Sequence, residues 1–187
     1  CMHNLRKTIQ IATPHMSTIP DFSKIALFAF DYDGVFTDGT VLLMPDGGQL
    51  RQAFVRDGYA VQWASKQKID LSIITGGRET AIINRMQSLG VTDVHIGSSD
   101  KVAVMKTILA HKGLTMEQVA YMGDDMPDLP LLREVGLSAC PADAAPEVLE
   151  ACDFISSRPG GKGCVRELIE LVMKQRNIWM ANGQEMW

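Results

Sequence analysis

From Lys24 onward, short apolar runs alternate with helix-length segments, with no internal repeat and no low-complexity tract. Ile25 to Phe30 (IALFAF) is almost continuously apolar and stops abruptly at Asp31, the pattern of a strand buried on both faces of a parallel sheet. Thr40 to Met44 and Gln49 to Val55 flank Pro45-Asp46-Gly47-Gly48, turn chemistry that predicts a projecting β-hairpin. A helix is predicted over Gly58 to Gln67, whose apolar positions include Val61 and Ala64. Leu71 to Ile74 is a second core strand running into Thr75-Gly76-Gly77, and a helix over Glu79 to Leu89 is stopped by Gly90. The pattern continues with a strand at Val94 to Ile96, a helix at Lys101 to His111 and a strand at Val119 to Met122 that meets Gly123-Asp124-Asp125. A helix near Leu129 to Val135, an apolar stretch at Leu137 to Cys140, a helix after Pro146 and a strand at Asp153 to Ile155 follow. A closing helix over Val165 to Arg176 offers Leu168, Ile169, Leu171 and Val172 to the core.

Strands alternating with helices predict an α/β fold with a doubly wound parallel sheet. In such a sheet the ligand site lies outside the carboxyl ends of the strands. Three of the apolar runs end there in polar residues: Asp31 with Asp33, Thr75, and Asp124 with Asp125. The expected organisation is one domain over residues 18–178, preceded by an irregular extension at 1–17 and followed by a tail at 179–187.

Composition narrows the function classes. The 187 residues are 46% hydrophobic and 21% charged, an ordinary globular balance that excludes a disordered or coiled-coil chain. Lys and Arg total 18 against 22 Asp and Glu, a net charge of -4, so nothing global attracts nucleic acid or an anionic membrane. No apolar run reaches the roughly 20 residues of a membrane span. Cys1, Cys140, Cys152 and Cys164 form no CxxC pair and no metal-ligand spacing with histidine, which fits reduced thiols in a cytoplasmic protein.

Asp31 and Asp33 stand two residues apart at a strand end, where one carboxylate can be nucleophile or metal ligand and the other general acid or base. Asp124, Asp125 and Asp128 add acids at another strand end, and an oxygen-only cluster suits a hard ion such as Mg²⁺. Each acid could instead cap a turn or a helix. A calcium-loop reading of Asp31-Tyr32-Asp33-Gly34 fails, because the glycine falls two places early and no Glu stands at the twelfth position.

Taken in order, Asp31 to Gly39 (DYDGVFTDG), the apolar run ending in Thr75-Gly76, Lys101 after Asp100, and Gly123 to Asp128 (GDDMPD) resemble the four motifs of the haloacid dehalogenase superfamily. The absence of an inserted cap, the hairpin, Val55-Arg56-Asp57-Gly58-Tyr59 and the late Arg158-Pro159-Gly160-Gly161-Lys162-Gly163 resemble, more narrowly, its 3-deoxy-D-manno-octulosonate 8-phosphate phosphatases and their nine-carbon sialic-type kin. The resemblance implies a Rossmann-like sheet with a projecting hairpin and no cap domain. It implies that Asp31 attacks phosphorus to form an aspartyl-phosphate and that Asp33 protonates the leaving oxygen. Mg²⁺ would be held by Asp31 and Asp124 and by the backbone carbonyl of Asp33, with Asp125 and Asp128 beside it. Thr75, the Gly76 N–H and Lys101 would bind the phosphate oxygens. For Thr75 the alternative is a helix cap and for Lys101 an exposed helix start.

In the resembled group the hairpin and a Gly-rich segment of a neighbouring subunit close the site of a homotetramer. The candidates for meeting a sugar carboxylate are Arg56, Lys162 and Arg166, whose alternative is a solvated helix-capping role. Members of the group often carry Arg directly after Thr-Gly; here Gly77 stands there and Arg78 follows as a further substrate-binding candidate. The expected activity is Mg²⁺-dependent hydrolysis of a keto-deoxy sugar-acid phosphate in surface-sugar biosynthesis. The alternatives are a phosphatase of another small phosphoester, or a non-catalytic tetramerisation module of a sugar nucleotidyltransferase.

Overall fold

A computed structural model describes residues 22–180. The expected extension at 1–17 and residues 181–187 of the expected tail lie outside them. The elements run β1 (Leu27–Phe30), β2 (Leu42–Leu43), β3 (Gln49–Leu50), α1 (Val55–Lys66), β4 (Asp70–Ile74), α2 (Thr80–Ser88), β5 (Asp93–His95), α3 (Lys101–Lys112), β6 (Val119–Met122), α4 (Leu129–Leu132), β7 (Leu137–Cys140), α5 (Pro146–Ala151), β8 (Phe154–Ile155) and α6 (Cys164–Gln175).

Six strands form one parallel sheet in the order β5-β4-β1-β6-β7-β8. β1 occupies the middle, paired with β4 through Leu27↔Asp70 and with β6 through Leu27↔Val119. All four of its residues are buried, which is why it reads as an unbroken apolar run. Its side chains alternate between two cores. Phe28 and Phe30 pack with Val61, Ala64, Ile82, Met86, Leu168 and Val172, from α1, α2 and α6. Leu27 and Ala29 pack on the other face with Met105, Ile108, Leu131 and Val148, from α3, α4 and α5. The chain winds outward from β1 through β4 to β5, then crosses back to β6, so the strand order reverses between β1 and β6. That reversal opens a crevice at their carboxyl ends.

The hairpin of β2 and β3 stands off this body, with Leu42↔Leu50 and Leu43↔Gln49 in register. Gly47, at φ 86°, makes the turn possible, and Asp46 Oδ1 accepts the Gly48 N–H at 2.9 Å. Leu42 and Leu43, on opposite faces of this ribbon, remain 63% and 74% exposed.

Several boundaries differ from expectation. The hairpin strands have two residues each, because after Leu50 the chain turns inward and α1 starts at Val55, three residues before Gly58. Gly58 therefore lies inside the helix, where a Cβ would stand 2.6 Å from Arg85 Nη2 and 3.4 Å from Leu89; small size, not turn formation, is its use. The helix expected to reach Val135 ends at Leu132. In α6 Met173 is buried, whereas Leu171, expected in the core, is half-buried. The α6 stripe passes through Leu168, Ile169, Val172 and Met173 at i, i+1, i+4 and i+5, and Leu171 falls beside it.

Replacing Leu168 by Ala is expected to cost about 2–5 kcal/mol, the range for a buried leucine. Leu171→Ala should cost under about 1.5 kcal/mol. Urea denaturation of both variants checks the α6 face, and equal costs would contradict it.

Candidate active site

β1 delivers the first acid. The Asp31 N–H continues the ladder to the Met122 carbonyl at 2.9 Å, and the side chain turns into the crevice, 8% exposed. The Tyr32 N–H donates to Asp31 Oδ1 at 2.7 Å. The chain then coils, with the N–H groups of Phe36 and Thr37 both donating to the Tyr32 carbonyl, and Gly34 takes φ 78°. A Cβ on Gly34 would fall 1.9 Å from Asp124 Oδ2, so glycine is what lets the β1 and β6 loops share the crevice.

Lys101, the first residue of α3, enters from the side; Asp100 caps this helix by accepting the Ala103 N–H at 2.9 Å. Its Nζ lies 3.0 Å from Asp31 Oδ2 and 2.5 Å from Asp128 Oδ1. Asp128, 1% exposed, is held on every side. Its Oδ1 also accepts the Tyr121 hydroxyl at 2.5 Å, and its Oδ2 accepts the N–H groups of Asp124 at 3.1 Å and Asp125 at 3.3 Å. Asp125 is exposed and takes the Met126 N–H at 2.8 Å, so it does cap a turn as well as border the crevice.

The carboxylates of Asp31, Asp124 and Asp128 offer oxygens that all lie within 4.8 Å of one another. Burial first, then repulsion from Asp128, lifts the Asp31 carboxyl to about 6, against the pull of Lys101. Burial, with Asp31 and Asp128 next, lifts Asp124 to about 7. Burial opposes the charge on Lys101, but Asp31 and Asp128 outweigh it and hold its pKa above the ordinary lysine value. One ammonium cannot neutralise three acids, and Asp128 takes the shortest contact with it. The donor set left over, carboxylate oxygens of Asp31 and Asp124, is hard, anionic and deficient in positive charge, which fits a divalent ion such as Mg²⁺.

Thr75 closes β4, its N–H on the His95 carbonyl at 2.9 Å and its Oγ1 accepting the Gly77 N–H at 3.1 Å. A cavity of about 570 Å³ is lined together by Asp31, Asp33, Thr75, Gly76, Lys101, Asp124, Asp125 and Asp128. All the residues expected to handle phosphate or metal therefore meet in one place. The expected carboxylate-binding cations do not. Arg56, Lys162 and Arg166 line a second cavity of about 630 Å³ with Phe54, Arg158 and Gly163, and the two linings share no residue. Arg166 is also engaged in packing: its Nε lies 2.5 Å from Glu170 Oε1 and its guanidinium 5.7 Å from the ring centroids of both Tyr59 and Trp179. Arg78 is exposed and borders neither cavity.

Two residues that sequence reasoning passed over connect to the site. Arg51 Nε donates to Asp33 Oδ1 at 2.6 Å, and its Nη1 lies 3.2 Å from Glu79 Oε1. No motif spacing marks a pair 18 positions apart. Asp57 belongs to the segment Val55 to Tyr59 that carries the resemblance, in which only Arg56 is given a role. Fully buried, it accepts the N–H groups of Gly163 at 3.2 Å and Arg166 at 2.8 Å, capping α6 from another helix where Gly163 has no side chain to do so. The glycines before α6 are packed against the same chain. A Cβ on Gly160 would stand 2.0 Å from the Gly34 carbonyl oxygen, and the Gly161 N–H donates to the Val35 carbonyl at 2.9 Å.

A model of the haloacid dehalogenase-like hydrolase family matches residues 82–168. The chain is 38% identical over 151 residues to the 3-deoxy-D-manno-octulosonate 8-phosphate phosphatase KdsC of Yersinia pestis, covering 81% of each. It is 35% identical over 173 residues to the KdsC of Salmonella typhimurium, 92% of this chain and 91% of that one. Among solved structures, the phosphatase of the same name from Moraxella catarrhalis, in complex with a magnesium ion, a phosphate ion and a KDO molecule, superposes with a TM-score of 0.83. That match has 32% identity over 88% of this chain and 95% of its own.

Burial lifts the Asp57 carboxyl from 3.8 to about 6, against its two N–H donors and Arg166. A value raised in the folded state means that folding favours the protonated acid, so this contribution to stability is present below pH 4 and lost as pH rises through 6. Asp57→Asn removes the titration. In urea melts the wild type is expected to exceed this variant by more at pH 4 than at pH 7, the difference being on the order of 3 kcal/mol. A gap constant with pH would refute the shift.

Proposed function

The chain belongs to the 3-deoxy-D-manno-octulosonate 8-phosphate phosphatases of the haloacid dehalogenase-like hydrolases, and on that premise we propose that it hydrolyses this eight-carbon sugar-acid phosphate, or a close nine-carbon analogue, to the free acid and phosphate. The observation that carries the reading is the meeting of Asp31, Asp33, Thr75, Lys101 and Asp124 in one cavity at the strand-order reversal. The Moraxella relative, solved with magnesium, phosphate and KDO, supports both the substrate class and the metal.

In this mechanism Asp31 Oδ attacks phosphorus as the ester P–O bond breaks, giving an aspartyl-phosphate, and Asp33 protonates the departing sugar oxygen. Asp33 then takes a proton from the water that releases phosphate. Lys101 stays cationic beside Asp31 and, with Thr75 and the Gly76 N–H, balances charge on the transferring oxygens. The carboxylates of Asp31 and Asp124 and the backbone carbonyl of Asp33 would hold Mg²⁺, which would offset the repulsion between dianionic phosphate and the acids. Asp128 keeps Lys101 in place, and Asp125 would act on the metal through water.

A homotetramer of cytoplasmic enzymes acting in lipopolysaccharide biosynthesis is part of the same proposal, with residues 18–178 as a single catalytic domain. The exposed leucines of the hairpin support assembly. The cavity bearing Arg56, Lys162 and Arg166, separate from the acids of its own chain, supports a site completed by a neighbouring copy.

Phosphate release should be measured with Mg²⁺ on 3-deoxy-D-manno-octulosonate 8-phosphate and a nine-carbon analogue. Wild type is expected to turn over at least one of them, and Asp31→Asn to lose about 10³-fold or more. EDTA should silence the wild type. Full activity in Asp31→Asn would sink the mechanism; turnover confined to unrelated phosphoesters would sink the substrate.

A further inference from the structure

Arg51 stands immediately after β3, on a hairpin whose neighbouring residues face solvent, yet its side chain is only 12% exposed. Its Nε donates to Asp33 Oδ1 at 2.6 Å, and Thr37 Oγ1 lies 3.5 Å from the same oxygen. Nη1 faces Glu79 Oε1 at 3.2 Å, a charge pair without an aligned hydrogen bond, and Nη2 donates to Gln49 Oε1 at 3.3 Å. The guanidinium thus spans three segments: the loop after β1, the hairpin and the approach to α2.

Both neighbours of the Asp33 carboxylate gather on Oδ1, and no described donor holds Oδ2. We propose that Arg51 is the positioning residue for proton transfer: by clamping Oδ1 it makes Oδ2 the oxygen that carries the proton and turns it toward the leaving group. As Asp31 forms its bond to phosphorus, the ester P–O electron pair passes to the sugar oxygen, which takes the Oδ2 proton. A planar guanidinium on a fixed side chain suits this task, because it sets direction as well as charge. It also makes the hairpin part of the catalytic apparatus, since Arg51 is carried there by β3.

The inference rests on the role of Asp33 in the proposed mechanism and is tested by leaving-group dependence. A sugar-acid or alkyl phosphate leaves as a basic alkoxide and needs the proton; p-nitrophenyl phosphate leaves as a weakly basic phenolate and does not. In Arg51→Met, kcat on the alkyl ester is expected to fall about 30- to 100-fold with KM within about 3-fold, while kcat on p-nitrophenyl phosphate falls less than about 5-fold. Arg51→Lys, which retains charge and stem, should show the same selectivity in smaller measure and serves if the methionine variant does not fold. Glu79→Gln, leaving the Asp33 contact intact, should change either rate less than about 3-fold. Equal losses on both esters, or none, would overturn the proposal. Failure of the wild type on sugar-acid phosphates alone would reject the substrate and leave this comparison intact, with glycerol phosphate as the alkyl ester.

Discussion

The structure is organised around one electrostatic difficulty. Parallel strands of a doubly wound sheet bring their carboxyl ends together, and here the three central ones carry Asp31, Thr75 and the Asp124 loop. Carboxylates within 4.8 Å of one another repel strongly where water is excluded. Lys101 is the internal answer, seated between Asp31 and Asp128 with 5% of its side chain exposed. The answer is partial by design. Asp128 is saturated by the ammonium, the Tyr121 hydroxyl and two backbone N–H groups, which leaves Asp31 and Asp124 undercompensated and fitted to an added cation. The fit to a divalent cation is the other face of that deficit.

The rest of the fold serves to hold the acids there. A strand with phenylalanines on one face and smaller side chains on the other can lie between two helical layers without a gap, and its end is then rigid. Glycine appears where backbones must touch: Gly34 under Asp124, and Gly160 against Gly34. Asp57 supplies from α1 the cap that α6 cannot make for itself.

The sheet and the acids that gather in the crevice were legible in the sequence because both are written locally. A strand buried on two faces leaves an uninterrupted apolar run, and Asp31-Tyr32-Asp33-Gly34 or Gly123-Asp124-Asp125 has a spacing that chemistry restricts. Arg51 and Asp57 were not legible, since each acts on a partner that only tertiary folding brings near, 18 and 106 or more positions away. The same limit explains Arg166, which as a bare cation suggested substrate but is stacked between Tyr59 and Trp179. Leu171 shows the limit within a single helix, where Leu168, Ile169, Leu171, Val172 and Met173 cannot all face inward and packing chooses among them.

The contact of Gly160 and Gly161 with the loop after β1 ties together residues more than 120 positions apart. Loop closure over such a separation comes late, after local helices and neighbouring strands have formed. On a ribosome, the acids of β1 and β6 would emerge well before the glycines that brace them, and the crevice could take its final shape only once α6 had docked. The crevice therefore waits on a segment far downstream: the loop after β1 is finished by the glycines that lead into α6.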